Sequence, residues 1–264
     1  MKYINEKKIE KLDINSNNLV VVIDFDRTIT AKTSMDSWDA SGLLLGKEFK
    51  EKLEKLYIKY RPIELDYEIS EEEKTKKMEE WYKACMNLYE EYNLSTSKLE
   101  ESIERSRLVF RNGAKEFLDY LIKKEIPVVV LSAGIGNVIE MFLKKNDCLG
   151  KNFEIISNFL QFDNLGNIKP FDGELIHTTN KNLNKRHKNK TAEELEKRKY
   201  RILIGDMIED EKMVPKEDWD RTAKVSFLDI KVEENLELYK KSFDIVLTNE
   251  DANFDELREI FPAI

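Results

Sequence analysis

Histidine and cysteine are scarce in this chain, two of each in 264 residues, and that scarcity removes several chemistries at once. Cys85 and Cys148 stand far apart without metal-type spacing, so neither a disulfide framework nor a zinc site is expected. His177 and His187 are too few for a centre built on several imidazole ligands. No apolar run approaches the ~20 residues of a membrane span. The stretch from Met1 to Asn18 alternates charged and apolar residues without the apolar core of a signal segment. A cytoplasmic protein with no membrane partner is expected. Positive charge is also in deficit: the net charge is −8, which argues against a general nucleic-acid binder. An anionic substrate would need local positive charge.

An apolar fraction of 41% is adequate for a substantial core, and the length allows one large domain or a core with a smaller insertion. Short β-branched runs punctuate the chain at Leu19 to Asp24, Ile126 to Ser132, Phe153 to Ser157, Arg201 to Gly205, Lys224 to Leu228 and Phe243 to Leu247. Helical patterns separate most of them, including one with Phe117, Leu118, Leu121 and Ile122 on a face and another over Ile135 to Leu143. Continuous apolar strands alternating with helices indicate an α/β domain with a mainly parallel sheet.

Between the first and second strands, from about Ala31 to Asn112, no strand is evident and an inserted helical unit is expected. This divides the chain into a core of 1–30 and 113–264 and a helical cap of 31–112. Met78, Trp81, Tyr82, Cys85, Leu88, Tyr89 and Tyr92 recur at helical spacing, a stripe expected to be core, with room for one or two rings to face a substrate. Ser70-x-x-Glu73 and Ser97-x-x-Glu100 read as capping boxes. Asp163-Asn164-Leu165-Gly166-Asn167 reads as a hairpin turn. The basic stretch Lys185 to Lys190 lacks aromatics and runs into acids, so it reads as a solvated loop leading to a helix capped by Thr191.

The densest chemical signal is Asp24-Phe25-Asp26-Arg27-Thr28, directly after Leu19-Val20-Val21-Val22-Ile23. In an open parallel sheet, ligands bind beyond the carboxyl ends of the strands. Two acids there repel each other unless a divalent cation or a shared proton neutralises them, and oxygen ligands of this kind suit Mg²⁺. A strand ending in a turn, with Asp and Thr capping the next helix, is the plainer alternative. Ser132-Ala133-Gly134 ends a second strand, where a hydroxyl and small residues could approach phosphate or simply make a turn. Gly205-Asp206-x-x-x-Asp210 ends a third, placing two acids one helical turn apart, although Asp206 also suits an N-cap.

In this order, the aspartate pair, the strand-terminal Ser, a Lys and Gly-Asp-x-x-x-Asp resemble the haloacid dehalogenase superfamily from about Leu19 to Asp210. Within it, the resemblance is to the cytosolic type III, or pyrimidine, 5′-nucleotidases. It is carried by Ser132 to Glu140, Ser157-Asn158-Phe159, Gly173 to Lys181 and Phe243 to Leu247. The resemblance implies a Rossmann-like doubly wound sheet and a Mg²⁺-dependent phosphomonoesterase, with a nucleoside 5′-monophosphate as the favoured substrate. It makes Asp24 the nucleophile, Asp26 the acid and base, and Ser132 and Ala133 the holders of phosphate oxygens. Lys181 takes the phosphate-binding lysine position in preference to Lys169, its rival by chain order. Asp24, the backbone carbonyl of Asp26 and Asp206 would bind the metal, with Asp210 orienting the metal shell or the lysine. Glu64 would reach the nucleobase, where an exposed loop acid is the alternative. Cys85 and Asn137 depart from the family pattern, and the segment from Arg27 to Leu45 fits it poorly. A phosphatase for a phosphoamino acid or sugar phosphate, and a noncatalytic phospholigand binder, are the competing functions.

Overall fold

The computed structural model describes residues 2–66, 68–183, 197–262 and 264. Seven strands form one sheet: β1 (Lys2–Ile4), β2 (Leu19–Ile23), β3 (Val128–Ile135), β4 (Phe153–Asn158), β5 (Tyr200–Gly205), β6 (Thr222–Leu228) and β7 (Ile245–Thr248). Their spatial order is β1-β7-β6-β5-β2-β3-β4, and only the β1–β7 pairing is antiparallel. The six expected strands are present with shifted ends. β1 was not legible, because three residues of mixed exposure carry no period, and the single turn of α1 (Glu6–Ile9) follows it.

β2 is buried on both faces, as its unbroken aliphatic run requires. Leu19, Val21 and Ile23 enter one hydrophobic cluster and Val20 and Val22 the other, the alternation that a strand imposes. The first cluster packs under α6 (Ala114–Lys123), α7 (Gly136–Lys145) and the C-terminal helix α9 (Phe254–Ile260). The second lies under α8 (Val232–Ser242), through Tyr239. From β2 the chain proceeds to β3 and β4 on one side, then crosses to β5, β6 and β7 on the other. The carboxyl end of β2 is therefore the point where connections diverge and a crevice opens.

Between β2 and β3 lie α2 (Ser37–Ser41), α3 (Lys47–Glu64), α4 (Glu71–Glu91) and α5 (Thr96–Arg105). They close on a separate core in which Tyr89 and Met78 are fully buried. The Tyr89 hydroxyl shares a 2.7 Å hydrogen bond with Ser41 and donates to the Trp38 carbonyl at 3.1 Å, so α4 is tied to α2. Ser70 caps α4 by accepting from Glu73 N. The second expected cap is corrected: α5 begins two residues earlier, and Ser95 rather than Ser97 accepts, from Lys98 N. Asp163 accepts from Leu165 N and Asn167 N, which forms the anticipated turn. The basic stretch and the helix at Thr191 lie outside the described residues.

Arg111 secures the turn after β2. Its guanidinium donates to the carbonyls of Thr28, at 3.1 Å, Arg27 and Ala252, and pairs with Asp229 at 2.7 Å, with both side chains about 5% exposed. Removing one partner of such a pair strands a buried charge. Arg111→Met is expected to lower the stability by ~3–5 kcal/mol in urea denaturation, a loss that an ordinary surface arginine would not give.

Candidate active site

β2 ends in a turn over Phe25–Ile29 that no regular helix continues: Asp26 is extended and Arg27 is left-handed at φ 60°. Phe25 turns into the core. Thr30 closes the turn, donating its N–H to the Phe25 carbonyl at 3.0 Å and accepting from Arg27 N at 2.9 Å. Asp24 and Asp26 are thereby left at the crevice, with different partners.

Asp26 is held by Ser37, whose N–H donates to Oδ1 at 2.9 Å and whose hydroxyl donates to Oδ2 at 2.5 Å. The Ser37 hydroxyl also accepts from Ile135 N at 3.1 Å, which joins α2 to the end of β3. Gly134 must be a glycine here: a Cβ would overlap Ser37 Oγ and stand 2.7 Å from Asp26 Oδ2. Burial, then the charge of Asp36, pushes the Asp26 carboxyl up to about 8 against the bonds from Ser37. Ser37 escaped the sequence reading because it lies in the segment that fitted the family pattern poorly. An Asp36 N-cap, which accepts from Asp39 N, was the available local signal.

Asp24 faces Lys181, whose ammonium donates to Asp24 Oδ1 at 2.5 Å and to Asp210 Oδ1 at 2.7 Å. Lys169, the rival, lies exposed on the hairpin. Burial opposes the charge on Lys181, but Asp210 and Asp24 outweigh it and hold the ammonium above its ordinary range. Burial raises Asp24 to about 6 although Lys181 pulls it down. Asp210 accepts from the N–H groups of Asp206 and Met207, both at 2.9 Å, so its carboxylate is spent on the lysine and the backbone. Gly205 admits it, since a Cβ there would overlap the Asp210 side chain.

The Asp206 carboxylate has no hydrogen-bond partner among the described residues. Burial, then the charges of Asp210 and Asp24, raises its proton affinity well above the usual range. Oxygens of Asp24, Asp206 and Asp210 lie within 4.8 Å of one another. Oxygen donors, crowded charge and an unpartnered carboxylate fit a hard divalent cation. The Asp26 carboxylate is turned to Ser37 and takes no part in that cluster. Ser132, 1% exposed, accepts from Gly134 N at 3.0 Å beside Ala133 on the same wall.

These groups floor a cavity of about 530 Å³, roofed by α3 and α4. Trp81 and Tyr82 of the aromatic stripe reach it, as does Cys85, whose thiol burial pushes up to about 12. Glu64 lies at the end of α3, not in an exposed loop, and is 2% exposed. Arg61, unremarked in the sequence, donates to its carboxylate. Lys74 of α4 donates to the Glu64 carbonyl at 2.9 Å and pairs with Glu209 beyond β5 at 3.3 Å, binding the helical roof to the sheet side. Thr75 and Thr179 make a second such link at 2.9 Å. Among the described residues no helix is long and apolar enough to cross a membrane.

Residues 26–264 match the pyrimidine 5'-nucleotidase (UMPH-1) family, a match that starts just after Asp24. The 7-methylguanosine phosphate-specific 5'-nucleotidase A of Xenopus laevis is 31% identical over 242 residues, covering 88% of this chain and 83% of that protein. Among solved structures, cytosolic 5'-nucleotidase IIIB bound to cytidine is similar with a TM-score of 0.84 and 29% identity, over 99% of this chain and 93% of that one. A substrate-bound phosphoserine phosphatase shares the fold, with a TM-score of 0.58 and 20% identity over 94% of this chain and 98% of its own. A doubly wound sheet with its acids at the point of divergence accords with these likenesses, of which that to the phosphoserine phosphatase is one of fold: the chain belongs to the pyrimidine 5'-nucleotidase family and is a phosphomonoester hydrolase.

Proposed function

We propose that this chain hydrolyses nucleoside 5′-monophosphates through a phosphorylated Asp24, in the cytoplasm and with Mg²⁺ as its metal. The observation that carries the reading is the pairing of two ends in one cavity: a buried Asp24–Lys181 contact at its floor, and aromatic rings with the Arg61–Glu64 pair on its roof. Its volume, about 530 Å³, falls in the range of small-ligand sites. The segment 31–112 acts as the cap, and 1–30 with 113–264 as the core beneath it. A relative named for 7-methylguanosine phosphate and a neighbour holding cytidine support a nucleotide substrate.

In the first step, an Asp24 carboxylate oxygen attacks phosphorus and the bond to the nucleoside oxygen breaks, that oxygen taking a proton from Asp26. Asp26 then accepts a proton from the water that attacks phosphorus, and the bond from phosphorus to Asp24 breaks to release phosphate. The environments of the two acids support this division. Asp24 faces an ammonium that favours its charged form, whereas Asp26 is buried beside Asp36 and keeps its proton more strongly. Ser132 and the backbone at Ala133 hold phosphate oxygens, and Lys181 offsets their charge. Asp24, Asp206 and the main-chain carbonyl of Asp26 would hold Mg²⁺, with Asp210 fixing Lys181 and the Asp206 backbone. When bound, the ion would supply neutralisation of the negative charge on the nucleophile and the phosphoryl group.

Phosphate release from pyrimidine and purine 5′-monophosphates, sugar phosphates and phosphoserine, with Mg²⁺ or chelator, tests the reading. Metal-dependent preference for the nucleotides is expected; preference for phosphoserine or a sugar phosphate would reject the substrate class. In the same assay Asp24→Asn is expected to lose turnover outright, and wild-type rates in the folded variant would remove Asp24 as nucleophile. Asp26→Asn should lose ~10²–10⁴-fold in kcat. Gly134→Ala, whose methyl would collide with both Ser37 and Asp26, should lower kcat at least ~tenfold with the fold intact by circular dichroism; an unchanged kcat would show that Asp26 needs no such support.

A further inference from the structure

Arg61 and Glu64 lie one turn apart at the end of α3, on the helix face that also brings Tyr57 to the cavity, with Trp81 and Tyr82 of α4 on the adjoining wall. A carboxylate among aromatic rings is a receptor for a flat cation, since the ring faces and the acid both attract positive charge. Here the carboxylate is not bare. The Arg61 guanidinium donates to Glu64 Oε2 and approaches Met207 Sδ at 3.8 Å. The Glu64 side chain is 3% exposed and that of Arg61 18%, so Arg61 is the more accessible side chain of the pair, and both line the cavity. The other guanidinium N–H groups take no further hydrogen bond among the described residues and remain as donors at the cavity wall.

We infer that the Arg61–Glu64 pair sets base selectivity in this chain, favouring neutral nucleobases that present acceptors and rejecting bases that carry a fixed positive charge. The inference rests on the nucleotidase reading. Guanine offers the sharpest contrast. Its N7 and O6 are adjacent acceptors that match a guanidinium fork. Methylation at N7 removes one acceptor and places a positive charge on the ring, beside Arg61. A bare Glu64 would welcome that charge; the paired Glu64 does not. This chain thereby departs in preference from the relative named for 7-methylguanosine phosphate.

The test is kcat/KM for GMP and 7-methyl-GMP, at fixed Mg²⁺, in the wild type, Arg61→Gln and Arg61→Lys. Turnover of p-nitrophenyl phosphate, inhibition by inorganic phosphate and thermal melting are measured alongside. The wild type should favour GMP. Arg61→Gln should shift the ratio toward the methylated nucleotide by at least ~tenfold, the scale of one nearby charge, with phosphate inhibition unchanged. Arg61→Lys should retain the wild-type direction, because the charge is kept. A ratio in folded Arg61→Gln within ~twofold of wild type, well inside the effect of one charge, overturns the inference and leaves the nucleotidase reading standing. So does an equal loss on both nucleotides with weaker phosphate inhibition, which would assign Arg61 to the phosphate. Wild-type turnover of p-nitrophenyl phosphate but of no nucleotide overturns the nucleotidase reading and this inference with it. If Arg61→Gln does not fold, Glu64→Gln carries the test: uncompensated Arg61 charge should lower the methylated-to-unmethylated ratio by ~tenfold, and an unchanged ratio overturns the inference.

Discussion

Crowding of carboxylates at the end of β2 is the constraint on which the rest of this structure depends. Asp24, Asp206 and Asp210 bring oxygens within 4.8 Å of one another in a buried crevice, where like charges cost most. Lys181 relieves two of them by direct contact. Asp210 passes the remainder of its charge to the N–H groups of Asp206 and Met207. Asp206 has no hydrogen-bond partner among the described residues, and that residual demand for positive charge is what a divalent cation would meet. The unpartnered acid is thus part of the site's design, and the fold must hold it rigidly enough that it does not rearrange. Gly205 and the Arg111 clamp on the turn contribute to that rigidity.

The helical roof completes the site in two ways. α2 supplies Ser37, which fixes the Asp26 carboxyl and links it to the end of β3. α3 and α4 bring the far wall of the cavity, and Lys74 and Thr75 fasten α4 to segments that follow β5 and precede Lys181. The floor and the roof of the cavity are therefore joined through a few polar contacts, while the aromatic core around Tyr89 keeps the roof as one packed unit.

Much of this was legible in the sequence because it rests on local rules. Leu19 to Ile23 reads as a strand buried on two faces, and acids at the end of such a strand fall where a crevice opens, although a capping turn was the plainer alternative there. Ser70 and the Asp163 turn follow from side chains that bond their own backbone. What stayed hidden depends on distant partners. Ser37 is an ordinary serine until the fold carries it to Asp26, and nothing local singles out Arg61 until α3 turns that face to the cavity. β1 is stabilised by pairing with β7, a contact across nearly the whole chain that three residues of mixed exposure do not announce. Ser95 displaced Ser97 as the cap because adjacent hydroxyls offer alternatives that only the helix register decides.

The central claim is that Asp24 itself carries the phosphoryl group. The most direct measurement is mass spectrometry of the peptide containing Asp24, from enzyme quenched during turnover of a nucleoside monophosphate and reduced with borohydride, which converts an acyl phosphate to an alcohol. The account predicts homoserine at position 24, with the Asp26 side chain unchanged. Phosphate release at the normal rate without any conversion at position 24, or with conversion at another carboxylate, would contradict it.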